Sequence, residues 1–145
     1  MPTQNEQLDF IKKMIMERLA DADSSRLFYR QRAYRYYIST IVLGAFTTVL
    51  LGLNIETLKE TARIGALIIT SLVTIINAYN AFFNNKELWV ANNSAVNRFY
   101  QLNFDISFAE KNLTKISDEE ILIFKKRYQE ILDELNTTWQ KNRLK

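Results

Sequence analysis

Two long stretches of the chain carry no charged side chain, and they constrain its fold more than any other feature. They cover residues 37–53 and 64–83. A helix of 20 residues is about 30 Å long, which matches the hydrocarbon thickness of a bilayer. The shorter stretch is about 25 Å long, and extending it back through Tyr36 and Tyr34 makes up the difference, with Arg35 reaching to the headgroups. The sequence therefore predicts an all-α membrane protein whose two spans, 36–53 and 64–83, form a hairpin. A soluble four-helix bundle is the disfavoured alternative, because helices that are apolar all round are rare in so small a domain.

Composition excludes several classes of function. The 145 residues include no Cys and no His, and they carry a net charge of only +3. Disulfides and thiolate metal sites are excluded, and the commonest general base is missing. The acidic run 118–120 is explained by a helix cap, and no catalytic motif is present. We expect no enzyme, no cofactor, no metal site and no nucleic-acid partner.

The flanks of the spans predict their orientation. Four arginines and no acid lie between residues 26 and 35, whereas the connection 54–63 balances two acids against two bases. By the positive-inside rule, both termini are expected in the cytoplasm. The residues expected at the headgroups are Arg26, Arg30, Arg32, Arg35, Lys86 and Trp89.

Helical segments are also predicted outside the spans. Leu8, Ile11, Ile15 and Leu19 form an apolar stripe, and polar residues 21–25 predict a break after it. The second span is expected to continue as a helix through residue 102, followed by a less regular stretch, 103–116. A capping box at Ser117 then begins the last helix. These patterns divide the chain into a cytoplasmic helix, 1–25, a hairpin with extensions, 26–103, and a cytoplasmic C-terminal helix, 104–145.

The first span carries small residues at every fourth position. They are Thr40, Gly44, Thr48 and Gly52. Such a ridge lets another helix approach closely, as in GxxxG packing. The neighbour is either the second span or another subunit, and ordinary packing without an oligomer explains the ridge equally well.

The second span carries uncharged polar residues at helical spacing. They are Thr70, Thr74, Asn77, Asn80 and Asn84. An amide in hydrocarbon is costly unless it meets a polar group or water. Either several copies line a water-filled pore with this stripe, or the stripe bonds to threonines of the first span. Because the spans hold no ionisable acid, base or His, proton-coupled transport is not expected.

The aromatic and basic landmarks resemble a known family. Residues 30–37 read RQRAYRYY, the first span contains LGA at 43–45, and the second ends in NAFF at 80–83. KELW at 86–89, NSAVNRF at 93–99 and Asp105 follow. Over roughly residues 26–135 the chain resembles the SLATT family, the SMODS- and SLOG-associating two-transmembrane effector domains.

This resemblance implies a pore-forming or membrane-perturbing effector in a bacterial conflict or defence system. A sensor or nucleotide-synthesising partner acting in trans would trigger it. The effector would be a homo-oligomer in the lipid bilayer of the bacterial inner (plasma) membrane. Two alternatives remain open: a non-conducting scaffold that recruits a cytoplasmic partner, and a constitutive small ion channel.

Overall fold

All regular structure is helical in the parts of the chain that its computed structural model describes, which are residues 4–52, 58–112 and 116–143. Helix α1 covers Gln4–Gly52, α2 Lys59–Phe83, α3 Asn85–Asn112 and α4 Asp118–Arg143. The predicted all-α class is therefore confirmed. The helices form two compact units, one containing residues 1–28 and 87–145 and the other containing residues 29–86. These boundaries differ from the three predicted segments.

The first unit is a three-helix bundle built from the start of α1, α3 and α4. Its core includes the predicted stripe Leu8, Ile11, Ile15 and Leu19, all buried. From the other two helices the core receives Ala95, Phe99, Leu102, Ile106, Ile121, Phe124 and Ile131. Apolar residues at alternating three- and four-residue spacing produce this packing, as in coiled coils.

Polar contacts fix the direction of each helix in the bundle. Lys12 near the start of α1 pairs with Glu110 near the end of α3, so these two helices are antiparallel. Arg127 of α4 meets Asp105 of α3 at 2.8 Å. The start of α4 lies beside the start of α1, because the Gln4 side-chain amide donates to Asp118 at 2.8 Å.

The predicted capping box at the start of α4 is confirmed. The Ser117 backbone N–H donates to the Glu120 carboxylate at 2.8 Å, and the Glu120 N–H donates to the Ser117 hydroxyl at 3.2 Å. Both donors would otherwise lack an intrahelical partner.

The predicted break at residues 21–25 is absent, because α1 continues from Gln4 to Gly52. Ala22 is buried in the bundle, and Arg26 pairs with Asp23 at 2.5 Å one turn apart. The polar residues therefore lie on the outer face of a continuous helix, where a capping role is not needed.

Two further boundaries differ from the prediction. The second span does not continue directly into the next helix: Asn84 adopts a left-handed conformation, with φ 42° and ψ 48°, and separates α2 from α3. Asn is among the residues that tolerate this conformation best. Helix α3 then extends to Asn112, so most of the stretch expected to be irregular is helical.

The second unit is a helical hairpin formed by residues 29–52 of α1 and by α2. One seam of buried and half-buried side chains on each helix faces the other. On α1 it contains Ala33, Tyr36, Thr40, Leu43, Thr47 and Leu50, and on α2 it contains Ala62, Gly65, Ala66, Ile69, Val73, Ile76 and Asn80. A Cβ added to Gly65 would lie 3.6 Å from the Leu50 side chain, so the helices approach closely there.

Candidate functional site

The hairpin is the candidate functional site, because its two outer sides differ in chemistry. On α1, Gly44 and Thr48 are rotated about 70–110° around the helix axis from the seam. On α2, the residues Thr70, Thr74 and Asn77 are rotated about 60–120° from the seam of that helix, in the same rotational sense. In an antiparallel pair of helices, equal rotations bring residues to the same side. The small-residue ridge and the polar stripe, predicted as separate features, therefore share one side of the hairpin, which we call the polar side.

One contact links the two helices across the polar side. The Thr40 hydroxyl lies 3.5 Å from the Asn77 side-chain oxygen and 2.9 Å from its own helix's Tyr36 carbonyl. The threonine hydroxyl has one proton, and the shorter contact uses it. The bond to Asn77 is therefore weak, and most of the Asn77 amide faces outward, where its side chain is exposed.

The hydroxyls of the polar side bond within their own helices. Thr48 donates to the Gly44 carbonyl at 3.1 Å, Thr70 to Ala66 at 2.8 Å, and Thr74 to Thr70 at 2.9 Å. Their protons are thereby satisfied, which allows a threonine to lie in an apolar medium at small cost. Their oxygens still offer lone pairs to a neighbour.

Beyond Thr40, the small-residue ridge does not pack against α2. A Cβ added to Gly44 or Gly52 would meet nothing within 4 Å, and both glycines are exposed. Thr40 alone of the ridge belongs to the hairpin seam. At Gly44 the backbone of α1 is therefore open to whatever covers the polar side.

The opposite side of the hairpin is apolar. It exposes Val42, Phe46 and Val49 of α1, together with Ile68, Leu72 and Ile75 of α2. Exposed Phe46 and Ile75 retain 60% and 65% of their accessible surface. Soluble monomers rarely expose a continuous surface of this kind, whereas lipid tails are a suitable environment for it.

The last two residues of the predicted polar stripe lie elsewhere. Asn80 is half-buried in the seam, and its carbonyl accepts the Asn84 backbone N–H at 2.9 Å. Asn84 is the left-handed residue that ends α2. The following residue, Asn85, is only 2% exposed, and its side-chain nitrogen has no hydrogen-bond partner among the described residues.

Aromatic rings gather at the end of the hairpin where α2 finishes. The rings of Tyr36 and Tyr79 lie 5.5 Å apart, and those of Tyr79 and Phe83 lie 4.4 Å apart. Phe82 meets Phe83 edge to face at 5.1 Å. Such rings are typical of the interfacial level of membrane helices.

The predicted headgroup residues fall into two groups. Arg30, Arg32, Arg35 and Lys86 are exposed in the hairpin unit, whereas Arg26 and Trp89 are half-buried in the bundle unit. The Arg26 guanidinium pairs with Asp23 and also donates to the Asn93 side chain at 3.3 Å. Arg26 is thus engaged in the bundle, which sequence spacing alone did not indicate.

Sequence reasoning missed the shared polar side and the exposed aromatic residues of α3. The shared polar side can be recognised only from the register of the hairpin, in which Thr40 lies beside Asn77 and Leu50 beside Gly65. The aromatic residues of α3 could have been found in the sequence, because residues 100, 104 and 108 are all aromatic and lie one helical turn apart. Within the described ranges, no three acidic side chains gather as a metal site would require.

These features define an all-helical protein with two helices long and apolar enough to cross a membrane, one within Gln4–Gly52 and one in the stretch that starts at Lys59. The chain belongs to the DUF4231 family, described as a protein of unknown function, which matches residues 20–99. That range covers more than half of the chain, including both charge-free stretches, 37–53 and 64–83. No curated protein and no solved structure matches the chain.

Proposed function

We propose that this protein is an oligomeric, membrane-embedded effector that permeabilises or perturbs the bacterial inner membrane when a partner triggers it in trans. The resemblance to the SLATT family motivates the effector role. The polar side of the hairpin is the observation that carries the membrane-perturbing part. In an oligomer, this side turns inward and the apolar side contacts lipid.

The bundle unit supports a topology with both termini on one side of the membrane. Residues from before the first span and from after the second pack into one core, in which Ile15 and Phe99 are fully buried. A packed core cannot be divided by a bilayer, so both flanks belong to the same compartment. The arginines at 26–35 favour the cytoplasm for that compartment.

The physical case for an oligomer begins with the cost of exposing polar groups to lipid. Asn77 is exposed at the surface of the hairpin, and its weak contact with Thr40 does not satisfy the amide. In hydrocarbon, an unsatisfied amide costs several kcal/mol. A second copy, or water enclosed between copies, removes that cost, and the open backbone at Gly44 permits a close approach.

A non-conducting scaffold is the second candidate, and the threonines favour it. Because their hydroxyl protons are bonded within the helices, the polar side can be packed helix against helix without any water. In that case the hairpin anchors the protein, and the bundle recruits a cytoplasmic partner.

Substitution of Asn77 separates these two functions. With Asn77→Leu, the largest polar group of the polar side is lost, so we expect leakage of vesicle contents, or dye-reported depolarisation of expressing cells, to fall about tenfold or more. The protein should still be recovered in the membrane fraction. Depolarisation only with the trigger indicates an effector, and constant depolarisation indicates a constitutive channel.

Ser71→Leu is the matched control. Ser71 is also exposed in the second span and donates to its own helix's Leu67 carbonyl at 2.9 Å, but it lies opposite the seam, away from the polar side. Leakage should be unaffected in this variant. Equal leakage from Asn77→Leu and the unsubstituted protein would refute a pore lined by this side. If no leakage occurs under any condition, the non-conducting scaffold is the remaining function.

A further inference from the structure

Positive side chains lie at both ends of the polar side of the hairpin. On α1, Arg30 is rotated about 90–110° from the seam, in the same sense as the members of the polar side. On α2, Lys59 and Arg63 are rotated about 70–110° from the seam of that helix, again in the same sense. All three side chains are exposed. They extend the polar side beyond the charge-free stretches, Arg30 before the first span and the other two before the second.

No described acid lies on the polar side to neutralise these cations. The hairpin unit contains only two acids, Glu56 and Glu60. Glu56 lies outside the described residues. Glu60 is exposed, but it is rotated about 170° from the seam of α2 and so lies opposite to α1. None of the three cations forms an ion pair with a described residue.

Membrane topology does not explain the cations at the start of α2. In the proposed orientation, Lys59 and Arg63 lie at the outer end of the hairpin, where the positive-inside rule disfavours Lys and Arg. Headgroup contact suits Arg32 and Arg35 better, because they are rotated about 70–130° from the seam of α1 in the opposite sense, toward the apolar side. The cations of the polar side instead face the neighbouring copies of the proposed oligomer and the water between them.

We propose that the path enclosed by the polar side conducts small anions in preference to cations, and that Arg30, Lys59 and Arg63 determine this preference. The inference rests on the proposed pore and names the ions that pass through it. Each copy of the oligomer adds its cations to both openings, so each opening holds a ring of positive charge that attracts anions and repels cations. Between the openings, the stretches 37–52 and 64–83 contain no charge that opposes this preference.

The cations are close enough to the path to act on a passing ion. Thr70 lies two turns beyond Arg63 on α2, about 10 Å along the helix axis. At that distance in water, one unit charge changes the local concentration of a monovalent ion about twofold before salt screening. The factors contributed by several copies multiply. We therefore expect a preference of about fivefold or more at low ionic strength, and a smaller one at high salt.

Modification of a single cysteine by charged reagents tests the proposal without the trigger. The chain has no native cysteine, so Thr70→Cys supplies the only thiol of the full chain in proteoliposomes. Two methanethiosulfonate reagents are compared, one carrying a sulfonate and the other a trimethylammonium group. Each rate is divided by the rate of the same reagent with a small thiol in solution. On this scale the anionic reagent should react about fivefold or more faster, and the difference should decrease in about 1 M salt.

Substitutions at the outer opening connect the preference to its cations. When Lys59→Gln and Arg63→Gln are combined, the two normalised rates should agree within about twofold, because the cations nearest to Thr70 are lost. Arg63→Lys keeps the charge and should keep most of the preference. Arg35→Gln is the matched control, because it removes an exposed arginine on the apolar side, and the ratio of rates should not change.

The outcomes separate this inference from the proposed function. If the two reagents modify Thr70→Cys at equal normalised rates, or the cationic reagent is faster, the water-filled path stands and the anion preference is wrong. If neither reagent modifies Thr70→Cys, the polar side contains no water, and the pore and this inference both fail. In proteoliposomes that conduct, the reversal potential in a KCl gradient should give a chloride-to-potassium permeability ratio above one, and a ratio at or below one would overturn the inference.

Discussion

Removing the hydroxyl of Tyr128 should stabilise the bundle. The Tyr128 ring packs in the core, 5.9 Å from the Phe99 ring, and its hydroxyl is inaccessible to solvent, with no hydrogen-bond partner among the described residues. A buried polar group left unsatisfied costs about 1–3 kcal/mol, and the Tyr128→Phe variant lacks that cost. Because Phe keeps the ring contact, we expect the free energy of unfolding to rise by about 1 kcal/mol. For a domain of this size, the melting temperature should rise by about 4–8 °C.

The chain contains a selective probe for this measurement. Its two tryptophans, Trp89 and Trp139, both belong to the bundle unit, and the hairpin unit contains none. Tryptophan fluorescence during urea unfolding in a mild non-ionic detergent therefore follows the bundle. The midpoint should move to higher urea, while the slope of the transition stays the same.

Tyr100→Phe is the control, because it makes the same chemical change at a hydroxyl-bearing ring that is 57% exposed. Its unfolding free energy should remain within about 0.5 kcal/mol of the unsubstituted protein. If Tyr128→Phe lowers the stability by more than that amount, the hydroxyl has a partner in solution, and the reasoning is refuted.

Three further predictions follow from local geometry. Asn84→Ala should destabilise the junction of α2 and α3 by about 1–2 kcal/mol more than Asn84→Gly does, because Gly alone adopts the left-handed conformation at no steric cost. Unfolding followed by far-UV circular dichroism measures both variants, and equal effects would contradict the assignment. Ser117→Ala should lower the stability of the bundle by about 1 kcal/mol through loss of the cap, as tryptophan fluorescence can record, whereas Ser117→Asp should retain most of it. In membranes, Thr48→Cys should give far more disulfide dimer than Val49→Cys, its neighbour on the apolar side, and the reverse order would place the wrong side of the hairpin inside the oligomer.

Much of the architecture was predictable because hydrophobic periodicity determined it. The stripe through Leu8, Ile11 and Ile15 forms the core of the bundle as expected, and the capping box begins α4 at the predicted place. The helical class and the two long apolar helices followed from the charge-free stretches. In each of these cases the local sequence pattern is compatible with only one structure of low free energy.

The helix boundaries were harder to predict because tertiary contacts decided them. Asp23 has the chemistry of an N-cap, but its carboxylate pairs with Arg26 in the middle of α1. Asn84 looks like one more member of a polar stripe, yet its backbone ends α2. Asn tolerates both helical and left-handed conformations, so its sequence position alone does not select between them.

The candidate site was predictable in its residues but not in their arrangement. Spacing identified Gly44 and Thr48 on one helix, and Thr70 and Thr74 on the other, as members of two stripes. Whether two stripes face each other, oppose each other or lie side by side depends on the register of the hairpin. That register results from close packing at Gly65 and Leu50, which no single-helix pattern contains.

One seven-residue register continues along the whole of α1. The positions that follow it are all buried or half-buried: Leu8, Ile15, Ala22, Tyr29, Tyr36, Leu43 and Leu50. Because each residue turns a helix by about 100°, inserting a single residue between Leu43 and Leu50 would turn Leu50 away from Gly65, while Tyr36 and Leu43 stayed in the hairpin seam. The close approach of the two helices at Gly65 therefore depends on the number of residues in this part of α1 as well as on their identity.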